Sequence, residues 1–255
     1  MENSSPFLSV VIPCFNEEKN LKNEVLTPVV KFLNLKSFTY EVIVVDDGST
    51  DQSLSVLNAF IKNNPHWKII RNHHGGKGNA VITGMLAAKG KIILFTDLDQ
   101  ATPISEVDKL LPLFKQGFAV VIGSRNSRRE GAPIFRLLMA RGFMMLRTLI
   151  LGLSKIHDTQ CGFKAFKREV ARDIFRRLKL YGDKHNKVTG SQVSACFDVE
   201  SLFLAKKLGY KIKEVPVNWH YVETRRINPI TDSWQGLIDI IKIRMNSLKH
   251  EYDEG

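Results

Sequence analysis

Five short runs dense in Val and Ile recur through the first half of the chain, each followed by a stretch of helical character except the last. They read LSVVIP (8–13), YEVIVVDDG (40–48), HWKIIRN (66–72), GKIILFTD (90–97) and FAVVIGSR (118–125). Helices are expected over 16–34, with Asn16 as N-cap, and over 49–63, 78–89 and 104–116. The apolar residues in the strands are near-continuous rather than alternating. Strands buried on both faces of a parallel sheet have that pattern. The order βαβαβαβαβ implies an α/β fold with a doubly wound, mostly parallel, Rossmann-like sheet, right-handed crossovers and helices on both faces.

Ligands in such sheets bind beyond the carboxyl ends of the strands. Polar clusters follow the runs there: Pro13-Cys14-Phe15-Asn16-Glu17, Asp46-Asp47-Gly48-Ser49, Asp97-Leu98-Asp99 and Ser124-Arg125. Each alone is ordinary turn chemistry, but four on one rim of one sheet point to a site. Asp97 and Asp99 close a buried strand with two like charges one residue apart. That spacing suits a divalent cation, Mg²⁺ or Mn²⁺, which takes few protein oxygens and completes its shell with phosphate and water. Such an ion would offset charge on a leaving nucleoside diphosphate. Asp46-Asp47 suits hydrogen bonds to a base or ribose.

Other chemistries find no support. GGKGN (75–79) is not a phosphate-binding G-x-x-x-x-G-K-[ST] loop, although Lys77 and the backbone before a helix suit an anion. No G-x-G-x-x-G follows the first strand, and no H-E-x-x-H or G-x-S-x-G is present. The histidines are read as structural or surface residues. Cys14, Cys161 and Cys196 are far apart and odd in number, which argues for a reducing compartment and against structural zinc. No signal peptide and no spanning apolar window is read, so the expectation is a soluble or peripheral protein.

The net charge is +11, and residues 125–190 hold that entire surplus. A block of one sign suits an anionic partner. Nucleic acid is not the expected one, because no recognition motif is present and aromatics are not interleaved with the basic residues. Residues 134–156 are very apolar, with Arg136, Arg141 and Arg147 along them. Over 231–250, Trp234, Leu237, Ile238, Ile241, Met245 and Leu248 recur at helical spacing, with Lys242, Arg244 and Lys249 off the stripe. Each segment is either a core helix or a helix lying in a membrane interface. A strand pair is expected around 210–221.

VVIPCFNEE, VVDDGSTD, GKGNA and TDLD, in that order, resemble the nucleotide-sugar domain of the family 2 inverting glycosyltransferases, which have a GT-A fold. DLDQATP, VIGSR, HDTQCGFKAF (157–166) and FDVE (197–200) extend the likeness, over nearly the whole chain, to the dolichyl-phosphate β-glucosyltransferase and polyprenyl-phosphate sugar transferase branch. The resemblance implies a GT-A domain over 1–230, with a nucleotide-sugar half (8–125) and an acceptor half (126–230), followed by an amphipathic helix and tail (231–255). It implies metal-dependent transfer of a hexose, glucose from UDP-glucose or mannose from GDP-mannose, to a polyprenyl phosphate. The alternative is a hydroxyl acceptor on a glycan or glycolipid.

By the same resemblance, Pro13, Asn16 and Glu17 shape the nucleotide pocket, with Glu17 near the ribose. Asp47 contacts the base, and Lys77 the base or phosphates. Asp97 reaches ribose or sugar and shares the metal with Asp99. Arg125 and Lys164 face the acceptor or the diphosphate. Asp158 is the acceptor-side carboxylate, with Asp198 and Glu200 as further candidates. Eukaryotic members of the branch carry an N-terminal membrane helix and some bacterial relatives a C-terminal anchor. Neither is read here, so a cytoplasmic, peripheral location on a membrane's inner face is expected, through the basic segment and the amphipathic helices. A phosphate acceptor is already largely dianionic near neutral pH, with a second pKa of about 6, and needs cations more than a base. Arg125, Arg128, Arg129 and Lys164 would supply them.

Overall fold

A computed structural model describes residues 5–125, 134–180, 196–220 and 229–253; the side chains of 134–141, 143 and 229–233 lie outside it. The first half contains β1 (Leu8–Cys14), α1 (Glu18–Lys22), α2 (Thr27–Asn34), β2 (Tyr40–Asp46), α3 (Ser53–Ile61), β3 (Trp67–Arg71), α4 (Gly76–Ala87) and β4 (Ile92–Thr96). A 3₁₀ turn at Ile104–Glu106 leads into α5 (Val107–Lys115), followed by β5 (Val120–Arg125) and α6 (Ile134–Leu151). Then come β6 (Phe163–Lys167), α7 (Arg168–Arg177), α8 (Cys196–Lys207), β7 (Ile212–Val217) and α9 (Pro229–Leu248).

Among the described residues, seven strands form one sheet in the order β3-β2-β1-β4-β6-β5-β7. The β3-β2-β1-β4 part is parallel throughout. The five runs therefore do become strands, but the fifth does not lie beside the fourth. β6 sits between them, antiparallel to both. Its sequence, FKAFK, alternates and is interrupted by Lys164, so it carries none of the Val/Ile signature of its neighbours. Around 210–221 there is one strand, β7, parallel to β5, rather than a pair.

The expected helix over 16–34 is two helices. Glu24 has φ +57, and α2 restarts with Pro28 in its first turn. Proline has no N–H to give and is accommodated there but not in a helix interior. Asn16 is not an N-cap: its own φ is +53 and Glu17 precedes α1.

Alternate residues of the central strands feed two cores, one on each face. Val11, Ile43, Val45 and Phe95 pack with α4, α7, α8 and α9. Val10, Ile12, Val42, Val44 and Leu94 pack with α2, α3 and α5. α4 approaches the sheet closely at Gly84, where a Cβ would lie 2.3 Å from Val11 Cγ1 and 3.0 Å from Val45 Cγ2. The C-terminal segment belongs to the same core. α9 packs on α6 and α8, Tyr252 is buried, and its hydroxyl donates to Glu200 at 2.7 Å.

Gly84→Ala is expected to destabilise the fold by about 1–3 kcal/mol through overpacking at this contact. The denaturant midpoint reads it, with the m-value unchanged.

Candidate active site

The site lies along the rim where β1, β2, β4 and β5 end. At the β1–β2 corner, two loops are tied by side-chain bonds. Asn16 N–H donates to Ser49 Oγ at 3.0 Å, and Asn16 Oδ1 accepts from Thr50 N–H at 2.8 Å. Glu17 N–H donates to Ser53 Oγ, and Glu17 Oε2 accepts from Asn20 at 2.6 Å. Pro13, the penultimate residue of β1, is half-buried beside this corner.

Asp47 is buried and fully engaged. Its carboxylate accepts from Gly75 N–H at 3.1 Å, Gly76 N–H at 2.8 Å and the His74 ring at 2.8 Å. Burial pushes its carboxyl up against the pull of those bonds. In this structure Asp47 therefore braces the turn into α4 rather than pointing a free oxygen at the rim. His74 stacks on Phe15 at 4.0 Å between centroids, which makes an aromatic wall that the sequence reading passed over.

At the end of β4, Leu98 is buried while Asp97 and Asp99 turn to the rim. Lys77, at the start of α4, pairs with Asp97 at 2.5 Å. Asp99 Oδ1 accepts from Ala101 N–H at 3.0 Å. Burial and the neighbouring Asp97 charge both push the Asp99 carboxyl up. For Lys77, desolvation alone would lower the ammonium, but Asp97, Asp198 and Asp99 more than reverse it. Two carboxylates one residue apart, with an ammonium drawn onto one of them, form a donor set short of positive charge. Mg²⁺ or Mn²⁺ fits that set. Among the described residues no group of three or more His, Cys, Asp or Glu side chains could hold a metal alone. Asp97 and Asp99 would therefore hold the ion with oxygens from a bound diphosphate.

β6 brings the chain after Arg125 against this pair. Phe163 pairs with Thr96, which leaves Gly162 beside Asp97. A Cβ on Gly162 would lie 2.2 Å from Asp97 Oδ2, so any side chain there displaces the carboxylate.

Lys164 and Asp198 are placed differently from the sequence expectation. Lys164 is 0 % exposed and pairs with Asp198, also buried, at 2.5 Å. It also donates to the Cys161 carbonyl and lies over the Phe95 ring. Burial pushes the Asp198 carboxyl up, against the pull of Lys164 and Lys77. In this structure the ammonium expected at the rim is interior, because Lys164 occupies a strand position that faces α8. Glu200 also points away from the rim. It accepts from Lys179 and Leu180 N–H and from Tyr252.

Asp158 holds Arg125. Its Oδ2 accepts from Arg125 N–H at 3.0 Å and Nε at 2.7 Å, and its Oδ1 from a terminal guanidinium nitrogen at 2.8 Å. The guanidinium lies 5.8 Å from the Trp219 ring. Arg125 keeps N–H donors that none of these contacts uses. Burial alone would raise the Asp158 carboxyl, but the Arg125 bonds and charge hold it below the usual range.

The basic block is only partly a surface. Arg147, on a segment read as either a core or a membrane-interface helix, is buried and donates to Thr159 Oγ1 at 2.7 Å and the Ile156 carbonyl at 2.6 Å, as the core alternative requires. Arg177 holds the Tyr252 and Asp253 carbonyls. Arg128 and Arg129, and the side chains of Arg136 and Arg141, lie outside the described residues.

A glycosyl transferase family 2 model matches residues 9–175. The chain belongs to glycosyl transferase family 2. It is 34% identical over 268 residues to a dolichyl-phosphate β-glucosyltransferase of Dictyostelium discoideum, covering 97% of this chain and 78% of that one. The likeness to the Drosophila melanogaster enzyme of that name is 37% over 247 residues, covering 89% and 71%. For the human one it is 33% over 261 residues, covering 94% and 76%. Among solved structures, Mycobacterium tuberculosis glucosyl-3-phosphoglycerate synthase, in complex with Mn²⁺, UDP and glucosyl-3-phosphoglycerate, matches with a TM-score of 0.64 and 19% identity. That match covers 94% of this chain and 80% of that one. Mannosyl-3-phosphoglycerate synthase from Rubrobacter xylanophilus matches at 0.60 and 15%, covering 96% and 75%. The fold is GT-A, and the protein is a glycosyltransferase.

Asp158→Asn tests the paired carboxylate. A depressed pKa stabilises the fold above the unfolded value, ordinarily 3.8, and that contribution is lost as pH falls through the lower folded value. The substitution is expected to cost about 2–3 kcal/mol at neutral pH. It should also flatten the acid limb of the stability–pH curve, measured by denaturant titrations from neutral pH downward. Gly162→Ala is expected to cut turnover about 100-fold by moving Asp97, while circular dichroism and Tm stay near wild type.

Proposed function

We propose that this chain transfers glucose from UDP-glucose to a dolichyl or other polyprenyl phosphate, with inversion, at a membrane surface. The observation that carries this reading is the 33–37% identity, over nearly all of this chain, to enzymes named for that reaction. The neighbour solved with Mn²⁺ and UDP supports a divalent metal and a uridine donor.

The acceptor-side geometry favours a phosphate over a hydroxyl. A hydroxyl acceptor needs a general base within reach. Asp158 is consumed by Arg125 and held below the usual carboxylate range, and Asp198 is sealed against Lys164. Neither is placed to accept a proton. A phosphate monoester needs none, because its second pKa is about 6. What it needs is a cation to approach the donor diphosphate, and Arg125 presents one whose orientation Asp158 fixes.

In this mechanism Asn16, Glu17 and the Phe15–His74 wall line the nucleotide end, and Asp47 supports that wall from behind. Asp97 and Asp99 would hold a divalent cation, which would offset charge on the departing diphosphate. Lys77 moves its charge from Asp97 toward the phosphates. Arg125 orients the acceptor phosphate for attack on the face of the anomeric carbon opposite the leaving group. Direct displacement on an α-linked donor gives a β-linked product.

α6 and α9 lie side by side, and among the described residues no helix is long and apolar enough to cross a membrane. Both expose large apolar side chains: Met145 at 62%, Leu149 at 72%, Trp234 at 67% and Leu248 at 63%. Of the stripe read on α9, Trp234, Ile241, Met245 and Leu248 thus turn outward, with Leu237 and Ile238 half-buried. Flanking Lys242, Arg244 and Lys249 suit anionic headgroups. This face would hold the enzyme where its acceptor is.

The reaction is tested with purified protein, Mn²⁺, radiolabelled UDP-glucose and a short polyprenyl phosphate in detergent. Label is expected in the organic phase, and Asp99→Asn should reduce it about 100-fold or more with the fold kept. UDP release with label passing only to a glycan hydroxyl would contradict the lipid-phosphate reading. For the membrane face, Leu149→Ser with Trp234→Ser is expected to lower partition onto anionic vesicles about tenfold or more in a flotation assay.

A further inference from the structure

Glu214, on β7, touches none of the groups assigned above to the donor, yet it organises the acceptor side. Its Oε1 accepts from Asp158 N–H at 2.7 Å and from His157 N–H at 3.2 Å. Its Oε2 accepts from His157 N–H at 2.9 Å and lies 2.9 Å from His157 Nδ1. The Ser124 side chain bonds to it as well. The carboxylate is 13% exposed while the His157 ring is 80% exposed. Its partners are therefore mainly the backbone of the turn that carries Asp158, not a surface ion pair.

The placement follows from the sheet. Glu214 pairs with Ile122 and Pro216 with Ser124, so β7 runs parallel to β5 up to Arg125. From there one carboxylate reaches across β5 to the turn before β6. Burial alone would raise the Glu214 carboxyl, but the His157 and Asp158 backbone bonds bring it below its usual value, so it is the ionised form that grips the turn.

We propose that Glu214 is a positioning residue for the acceptor phosphate: it fixes the 157–158 turn so that Asp158 holds the Arg125 guanidinium in one orientation. The chain of contacts is Glu214 to Asp158 N–H, Asp158 carboxylate to Arg125 N–H, Nε and a terminal nitrogen, and the remaining guanidinium donors to the acceptor. Replacing Glu214 by Gln puts an amide NH₂ against the N–H groups now facing an oxygen, so the turn loosens while β7 stays paired. The proposal rests on the reading of Arg125 as the acceptor-phosphate cation.

Two readouts on E214Q separate the links. The first is the Arg125 Nε–H signal in ¹⁵N-edited NMR of the full chain, assigned with Arg125→Lys. It should be sharp and slow to exchange in the wild type, and broadened or exchanging about tenfold faster in E214Q. The second is steady-state kinetics. The KM for polyprenyl phosphate should rise about tenfold, while the KM for UDP-glucose changes less than about twofold. In an Arg125→Lys background, E214Q should add less than about twofold.

An unchanged Nε–H signal, or equal effects on both KM values that multiply fully with Arg125→Lys, would overturn the proposal and leave Glu214 as ordinary framework. A changed signal with an unchanged acceptor KM would confirm the positioning link and overturn the acceptor reading of Arg125. If E214Q does not fold, Glu214→Asp keeps the charge but withdraws the carboxylate from the turn by one methylene. The same two readouts should then move in the same direction by a smaller factor, and their staying fixed would count against the proposal.

Discussion

Three carboxylates, Asp97, Asp99 and Asp198, converge behind and at the end of β4, against the ammonium groups of Lys77 and Lys164. Like charges this close are costly unless cations offset them, and each cation must itself be held after leaving water. The protein handles this in two layers. Inside, Lys164 and Asp198 neutralise each other beneath the Phe95 ring. At the rim, Lys77 pairs with Asp97 and its charge also reaches Asp99, but burial and the Asp97 charge outweigh that and push the Asp99 carboxyl up. The rim layer is thus short of positive charge, which a divalent cation bound with a diphosphate would supply.

That arrangement depends on β6 running antiparallel between β4 and β5. A purely parallel sheet would place β5 directly beside β4 and bring no chain back to the ligand end. With β6 inserted, the turn before it delivers Gly162 against Asp97 and Asp158 against Arg125, and β6 itself places Lys164 beside Phe95. The missing Cβ at Gly162 makes the approach possible. β7 then completes the acceptor side, with Glu214 gripping the same turn from the far edge. The segments before and after Arg125 are therefore not two modules joined at a cleft. They share one sheet, and the seam is the β4–β6 ladder.

The donor half was legible because its physics is local. Parallel strands buried on both faces need continuous Val and Ile, and their carboxyl ends need Asp, Asn and Gly, so LSVVIP through TDLD announces both fold and site. The break of helix 16–34 was legible too, in Pro28, had its missing N–H been weighed. The acceptor half was not. FKAFK looks like a polar segment, because Lys164 is buried by a partner 34 residues away that no local pattern reveals. Arg147 could not be assigned to core or membrane face for the same reason, its hydrogen-bond acceptors at Ile156 and Thr159 being set by the fold. Asp158 and Asp198 were found as residues, but the cations beside them decide whether they can act as bases. Glu214 had no signal at all, since its partners are backbone N–H groups. The family resemblance spanned these gaps for the fold and the type of reaction, but it could not say which charges were already paired.

The most direct test of this charge-deficient rim is isothermal titration of Mn²⁺ into the protein with and without UDP. Two carboxylates alone should bind the ion weakly, and saturating UDP should tighten it by more than about tenfold, because the diphosphate supplies the missing oxygens. Asp99→Asn should abolish that coupling while the fold persists. UDP binding of equal strength in the presence of a chelator, with no Mn²⁺ coupling in the wild type, would contradict the account.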